Sequence, residues 1–326
     1  MWAIFDVVRI TSLTLISCIS SPKKFPQRSW LSEFTFRLAK RLLQESVGKP
    51  IPWLRTRQKI LKLYSPDLLK TAKQKEQIAG VPCLAFVPKK IANPDTVIIY
   101  FHGGGYVVGS ADGYSSTLAK IALVAKAKVV GLEYRLSPEH GMPAAQEDCL
   151  AVTQYLITQH KDKKVILMGD SAGGGLCLAT LNSLGNIGLL SRISAAVLIS
   201  PWLTPADSNT LELAHEASDI LDHSVLGHWF NSFNTGLAQH KRLFDFTNIN
   251  VNALPPLYIQ AAGAEVFSKQ IQCLVEKLEQ AGNAYQYDLF EKQFHVFQTF
   301  APLVREADEA LERIGKYVMG IASRVE

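Results

Sequence analysis

Residues 164–178, KVILMGDSAGGGLCL, constrain the fold more than any other stretch of the chain. Val165 to Met168 are consecutive apolar residues of the kind that form a strand buried on both faces, and from Ala172 the small residues open a helix. Between them Gly169-Asp170-Ser171-Ala172-Gly173 matches GxSxG, in which a serine occupies a sharp strand-to-helix turn. The flanking glycines remove Cβ atoms that would collide there. Such a turn lifts the hydroxyl above the sheet edge and aims backbone N–H groups at whatever the hydroxyl attacks. Ser171 is therefore the candidate nucleophile. A glycine-rich turn can also cradle a phosphate at a helix N-terminus, but no lysine follows these glycines and the Walker reading fails.

A chain of 326 residues, 48% hydrophobic and 19% charged, is long enough for one large α/β domain with an accessory element, and nothing in it is repetitive or of disordered composition. Five cysteines (Cys18, Cys83, Cys149, Cys177, Cys273) are odd in number and widely spaced, without a CxxC pair or a histidine at metal-ligand spacing. That pattern suits unpaired thiols and a cytoplasmic location. The net charge of +5 is unevenly spread: residues 1–90 carry 17 Lys+Arg against 5 Asp+Glu, and the remainder 17 against 24. A basic front usually means solvated helix faces, and its sharper meaning is attraction to anionic lipid or acidic substrates.

Taken in order, residues 1–20 are apolar but interrupted by Asp6 and Arg9, too short and broken for a membrane span. Leu15-Ile16-Ser17-Cys18 is similar to a bacterial lipoprotein cleavage box, so export is the alternative to an amphipathic helix packed on the protein. A second amphipathic helix is expected over 30–45, a third from Pro52 to about residue 63, and a short one after Ser65-Pro66. From residue 81 strands are expected at 81–87, 96–101 (TVIIYF) and 128–133, with helices at 114–126 and 144–160. Beyond the Ser171 helix, strands are expected at 195–200, 257–262 and 285–290. Helices are expected near 224–233, at 266–280 and at about 302–319. Strand and helix alternate, which implies a predominantly parallel sheet with helices on both faces. The expected organisation is a helical cap segment at 1–75, a core at 76–202, a cap insertion at 203–250 and the rest of the core at 251–326.

A serine hydroxyl is a poor nucleophile until a neutral imidazole takes its proton, and the imidazole needs a carboxylate to fix its tautomer. On an α/β-hydrolase sheet these groups come in the chain order Ser, Asp or Glu, His, each on a loop after a strand. Here strand 257–262 delivers Gly263-Ala264-Glu265, and strand 285–290 is followed by a loop holding His295. Gly104, Gly105 and Ala172 can offer backbone N–H groups to a developing oxyanion.

Four ordered motifs carry a resemblance: His102-Gly103-Gly104-Gly105, then Tyr134-Arg135-Leu136-Ser137-Pro138-Glu139-His140 with Pro143-Ala144-Ala145, then Gly169-Asp170-Ser171-Ala172-Gly173-Gly174, and His295-Val296-Phe297. Together these resemble the hormone-sensitive-lipase-like (family IV) carboxylesterases over about residues 81–300. The resemblance implies an α/β-hydrolase fold with a mostly parallel sheet and a helical cap, and no metal or organic cofactor. It implies Ser171 as nucleophile, His295 as base, Gly104, Gly105 and Ala172 as oxyanion donors, and His102 with the Tyr134 stretch as supports of the oxyanion loop. Family members mostly carry Asp where Glu265 falls, although one branch uses Glu. Asp288 and Glu291 are the fallback carboxylates.

The expected activity is hydrolysis of short- to medium-chain acyl esters through an acyl-enzyme, with lactones as further substrates. Two alternatives are a membrane-peripheral lipase docking through its basic N-terminal helices, and a non-catalytic small-molecule binding protein, against which the retained His295 argues. The expected partner is a small-molecule ester and no nucleic acid; weak membrane-surface contact and a homodimer are further expectations. Cys177 reads as a buried small side chain, and His215, His223 and His228 lack the spacing of metal ligands. Tyr106 and Trp202 fit either the acyl pocket or the core.

Overall fold

In the computed structural model, which describes residues 2–23, 25–61, 65–205, 211–233, 237–240, 245 and 249–323, the apolar runs become strands of one sheet. They are β1 (Thr71–Ile78), β2 (Val81–Pro88), β3 (Thr96–Phe101), β4 (Lys128–Leu132), β5 (Lys164–Asp170), β6 (Ile193–Ile199), β7 (Leu257–Ala262) and β8 (Tyr285–Phe290). Their spatial order is β1-β2-β4-β3-β5-β6-β7-β8. β1 and β4 flank β2 antiparallel, and the pairs from β4 to β8 are parallel. Every residue of β3 and β7 is buried, and since successive side chains point to opposite faces, both faces of the sheet centre must be covered.

The cover is helical. α1 (Trp2–Ser20), α2 (Trp30–Gln44) and α3 (Ile51–Ile60) precede the sheet; α4 (Ser115–Ala125), α5 (Ala144–Gln159) and α6 (Ala172–Asn186) connect its first strands. α7 (His223–Phe233) and the single turn α8 (Leu237–His240) lie between β6 and β7, and α9 (Ser268–Gln280) and α10 (Arg305–Ala322) complete the chain order. α10 shows why such segments fold as they do. Ala307, Ala310, Leu311, Ile314, Val318 and Ile321 recur at helical spacing and are buried, while Glu306 and Asp308 in the first turn complement the helix dipole.

Two local expectations change. Residues 71–78 (TAKQKEQI) form β1, whereas the sequence reading placed the first strand at residue 81. An edge strand with both faces largely in water needs no apolar alternation, and only its terminal residues, Thr71 and Ile78, are buried. α1 is a helix, but not an ordinary amphipathic one. Ile10 and Thr14 are buried, while Ile4, Phe5, Val8, Leu15, Ile16 and Ile19 are exposed and fall within an arc of roughly 120° on the far side, at 100° per residue, with Leu13 exposed beside it. Among the described residues no helix is long and apolar enough to cross a membrane. The expected end of the third helix at residue 63, and part of the 203–250 segment, lie outside the described residues.

The parallel registers decide where chemistry can sit. Phe101 pairs with Gly169, Asp170 with Ile199, and Ala262 with Phe290, so the carboxyl ends of β3, β5, β6, β7 and β8 finish near one edge. The loops holding His102–Gly105, Ser171, Glu265 and His295 all leave from that edge, where open α/β sheets bind their ligands.

Candidate active site

Ser171 stands between the last residue of β5 and the first of α6, with φ 51° and ψ −120°. A side chain in that region costs about 1–3 kcal/mol, so the surrounding bonds must hold it. The Ser171 N–H donates to Ile199 O at 2.9 Å, and the Ser171 carbonyl accepts from Trp202 N–H at 2.9 Å and Gly175 N–H at 3.2 Å. The turn also brings α6 against β3. A Cβ on Gly173 would stand 1.9 Å from Phe101 O, which no side chain tolerates. The glycine of GxSxG thus serves close approach.

From this turn the hydroxyl meets the other two predicted residues. Ser171 Oγ lies 2.9 Å from His295 Nε2, and His295 Nδ1 lies 2.7 Å from Glu265 Oε2. A carboxylate only accepts, so Nδ1 carries the ring proton and Nε2 is left to accept from the serine. Glu265 Oε1 accepts the Ala262 N–H at 2.8 Å, which ties the carboxylate to the end of β7. Both side chains are out of water, at 3% and 0% exposure. Burial works against the imidazolium, but the Glu265 hydrogen bond and the charges of Glu265, Asp219 and Asp170 outweigh it, and the His295 pKa is raised. The fallback carboxylates are engaged elsewhere. Asp288 accepts from Tyr258 O–H at 2.7 Å and pairs with Arg313 at 3.1 Å, and Glu291 is a 73% exposed side chain beside Lys292.

The loop after β3 faces the serine turn. Gly104 has φ +117°, and a Cβ there would lie 2.2 Å from Val108 O, so this position accepts glycine only. Among the described residues, the N–H groups of Gly104, Gly105 and Ala172 donate to no protein acceptor. Their loop is indexed to Ser171 by its neighbour Asp170, a residue of the motif to which sequence reading gave no role. Asp170 Oδ1 accepts Gly103 N–H at 2.9 Å and Tyr100 O–H at 2.8 Å, and Oδ2 accepts Tyr114 O–H at 2.9 Å. His102 stacks on Tyr134 at 4.2 Å between centroids, and Tyr134 O–H donates to His102 O at 2.6 Å. Burial lowers the His102 pKa to about 4, leaving a neutral packing imidazole. Arg55 of α3 donates to Val107 O at 2.9 Å and Ser137 O at 2.8 Å, joining the loop after β3 to the Tyr134 stretch.

A cavity of about 340 Å³ opens onto Ser171 and His295, within the usual size range of small-molecule pockets. Its wall is apolar, with Leu42 from α2, Leu54 from α3, Leu221, Trp229 from α7 and Phe300. Tyr106 and Trp202 are not in this wall. They pack into the core with their centroids 5.9 Å apart, against Phe233 and, for Trp202, Phe267. Cys177 is fully buried in α6. His215 lies beside the Glu265 loop, Nδ1 being 3.1 Å from Glu265 O, and among the described residues no cluster of His, Cys, Asp and Glu could hold a metal ion.

Known proteins resemble this chain in sequence and in fold. A family profile described as an alpha/beta hydrolase fold matches residues 98–299. An acetyl-hydrolase of Streptomyces hygroscopicus is 31% identical over 223 residues, covering 68% of this chain and 74% of that protein. The carboxylesterase/phospholipase LipF of Mycobacterium tuberculosis is 29% identical over 230 residues, 68% of this chain and 61% of LipF. Among solved structures, an esterase from the bacterial hormone-sensitive lipase family superposes with a TM-score of 0.77 at 28% identity, covering 87% of this chain and 97% of that one. An esterase/lipase from an uncultured bacterium gives 0.77 at 27% identity over 88% and 98%. The chain therefore belongs to the α/β-hydrolase superfamily, in its hormone-sensitive-lipase-like (family IV) branch of carboxylic ester hydrolases.

Proposed function

We propose that this protein hydrolyses short- to medium-chain acyl esters through an acyl-enzyme, with Ser171 as nucleophile, His295 as general base and then acid, and Glu265 as the carboxylate that fixes the imidazole. The observation that carries the reading is the hydrogen-bonded line from Ser171 Oγ through His295 to Glu265, at 2.9 and 2.7 Å. In the acylation step the Ser171 oxygen bonds to the ester carbonyl carbon as its proton passes to His295 Nε2. Collapse of the tetrahedral intermediate expels the alcohol, which takes that proton. Water repeats the sequence to release the acid. The N–H groups of Gly104, Gly105 and Ala172 receive the oxyanion, each worth about 3 kcal/mol in such sites.

Residues 1–75 and 203–250 act as a helical cap in this reading, which is supported by α2, α3 and α7 side chains in the cavity wall. A cavity of about 340 Å³ with an apolar wall suits an acyl chain of a few carbons. Hydrolysis of p-nitrophenyl esters from acetate to palmitate, under single turnover, tests the proposal. A burst in wild type that vanishes in Ser171→Ala supports it, and no activity on any ester overturns it.

The exposed apolar arc of α1 favours a second reading, a lipase working at a lipid surface, because a bare apolar helix face in a front of the chain rich in Lys and Arg suits an anionic bilayer. Activity raised by anionic vesicles and lost by Phe5→Ser with Ile16→Ser would favour it. Indifference to vesicles leaves a soluble esterase.

A further inference from the structure

Asp219 lies between β6 and β7, contributes no group to the proposed reaction, and is fully buried. Its Oδ1 accepts the N–H of His295 at 2.8 Å and of Ile220 at 2.7 Å, and its Oδ2 accepts the N–H of Val266 at 3.0 Å. Val266 directly follows Glu265. One carboxylate therefore holds the backbone on both sides of the Glu265–His295 contact, although those two residues come from separate loops. Among the described residues no lysine or arginine forms an ion pair with this carboxylate, so its hydrogen-bond partners are backbone donors of the two loops and its own segment, while the buried Arg28 guanidinium acts on its charge through space.

The segment bearing Asp219 is itself anchored from the N-terminal side. Lys40 of α2 donates to the Asp219 carbonyl at 2.7 Å and to the Glu216 carbonyl. Arg28, 1% exposed, donates to Ser218 O at 3.4 Å and to Lys292 O in the His295 loop. The two Asp219 carboxylate oxygens face three N–H donors, the arrangement a carboxylate anion takes; burial pushes the Asp219 pKa up to about 6, and the attraction of His295 works to lower it. The groups facing the His295 ring are the Glu265 carboxylate, the Ser171 hydroxyl and the edge-on Phe267 ring, with Asp170 and Asp219 adding charge.

Resting on the esterase reading above, we infer that Asp219 is a positioning residue: its carboxylate holds His295 and Val266 so that Nδ1–H stays on Glu265, and its charge favours the imidazolium formed in the reaction. A group that merely satisfied buried N–H bonds would affect stability without moving the ionisation of His295. A misplacement of 1 Å in such a pair can cost about a hundredfold in rate.

The test compares full-length wild type, Asp219→Asn and Asp219→Glu on p-nitrophenyl butyrate across pH, with melting curves and Ser171→Ala as the blank. Asn keeps the shape, removes the charge and sets an amide N–H against a backbone N–H. The expected result for Asp219→Asn is a kcat lower by about tenfold or more with KM little changed. The acid limb of its kcat/KM should move to lower pH by about half a unit or more, since removing an anion destabilises the imidazolium. Asp219→Glu should keep the limb and lose kcat. Wild-type kcat in either variant, or a kcat loss in Asp219→Asn with an unmoved limb, overturns the proposal. Recovery of both variants only as aggregates assigns Asp219 to fold stability and overturns it too. Wild type inactive on the ester, or as slow as Ser171→Ala, removes the esterase reading itself, an outcome distinct from the others.

Discussion

Replacing Glu265 by glutamine removes one charge and exchanges one carboxylate oxygen for an NH2 group, on a side chain that is fully buried. Glu265 now accepts two bonds, from His295 Nδ1–H at 2.7 Å and from Ala262 N–H at 2.8 Å. Glutamine has one acceptor for these two donors. With its oxygen toward His295, the NH2 opposes the Ala262 N–H, and two buried donors face each other at about 1–2 kcal/mol each. With its oxygen toward Ala262, every bond is made, but Nδ1 must be bare and the proton sits on Nε2. That tautomer cannot take the Ser171 proton. A preference of about 3 kcal/mol leaves the productive tautomer on the order of 1% populated. Losing the charged acceptor for the imidazolium costs about 2 kcal/mol more. The sum predicts a kcat lower by about 10³ to 10⁴, in line with about 10⁴ for the corresponding Asp→Asn change in a serine protease. Single-turnover release of p-nitrophenol from the butyrate ester measures it, with a melting curve to show that the variant folds. A folded variant losing less than about tenfold would refute the tautomer argument and take Glu265 out of the proposed triad.

Further expectations concern pH, the loop after β3 and the pocket. Because the neutral His295 imidazole is the proposed base and its pKa is raised above the ordinary 6.5, kcat/KM should fall as pH drops through a value above 6.5; an acid limb below 6.5 contradicts this. Asp170→Ala orphans three buried donors, Gly103 N–H, Tyr100 O–H and Tyr114 O–H, and should cost about 3 kcal/mol or more in urea unfolding. Asp170→Asn can keep Oδ1 as acceptor and give its NH2 to the Tyr114 oxygen, so it should cost clearly less, and equal losses would refute the bonding scheme. Leu42→Trp fills part of the cavity and should shift the chain-length optimum of p-nitrophenyl esters toward acetate, an unchanged optimum placing the acyl chain elsewhere.

The strands and the nucleophile turn were legible locally because their causes are local. A run such as TVIIYF has no solvated face, so it must lie in the middle of a sheet, and GDSAG carries its own steric requirement, written in the 2.4 Å that would separate a Gly169 Cβ from Gly173 O. β1 was illegible for the complementary reason: an edge strand in water needs no apolar pattern, and TAKQKEQI has almost none. Chain order pointed to Glu265 and His295 but left Asp288 and Glu291 in contention. Register settled where each carboxylate points, and that depends on strands far apart in sequence lying side by side.

By itself, then, the sequence determined the α/β architecture, the serine turn and the short list of chemical groups, because hydrophobic period and glycine placement act within a few residues. Tertiary structure alone decided that Trp229 rather than Tyr106 or Trp202 walls the cavity and that Asp170 anchors the loop after β3. It also decided that Asp219 reaches the backbone of His295, 76 residues away. A buried carboxylate takes its meaning from the donors around it, and those donors are assembled only when separate loops meet at the sheet edge.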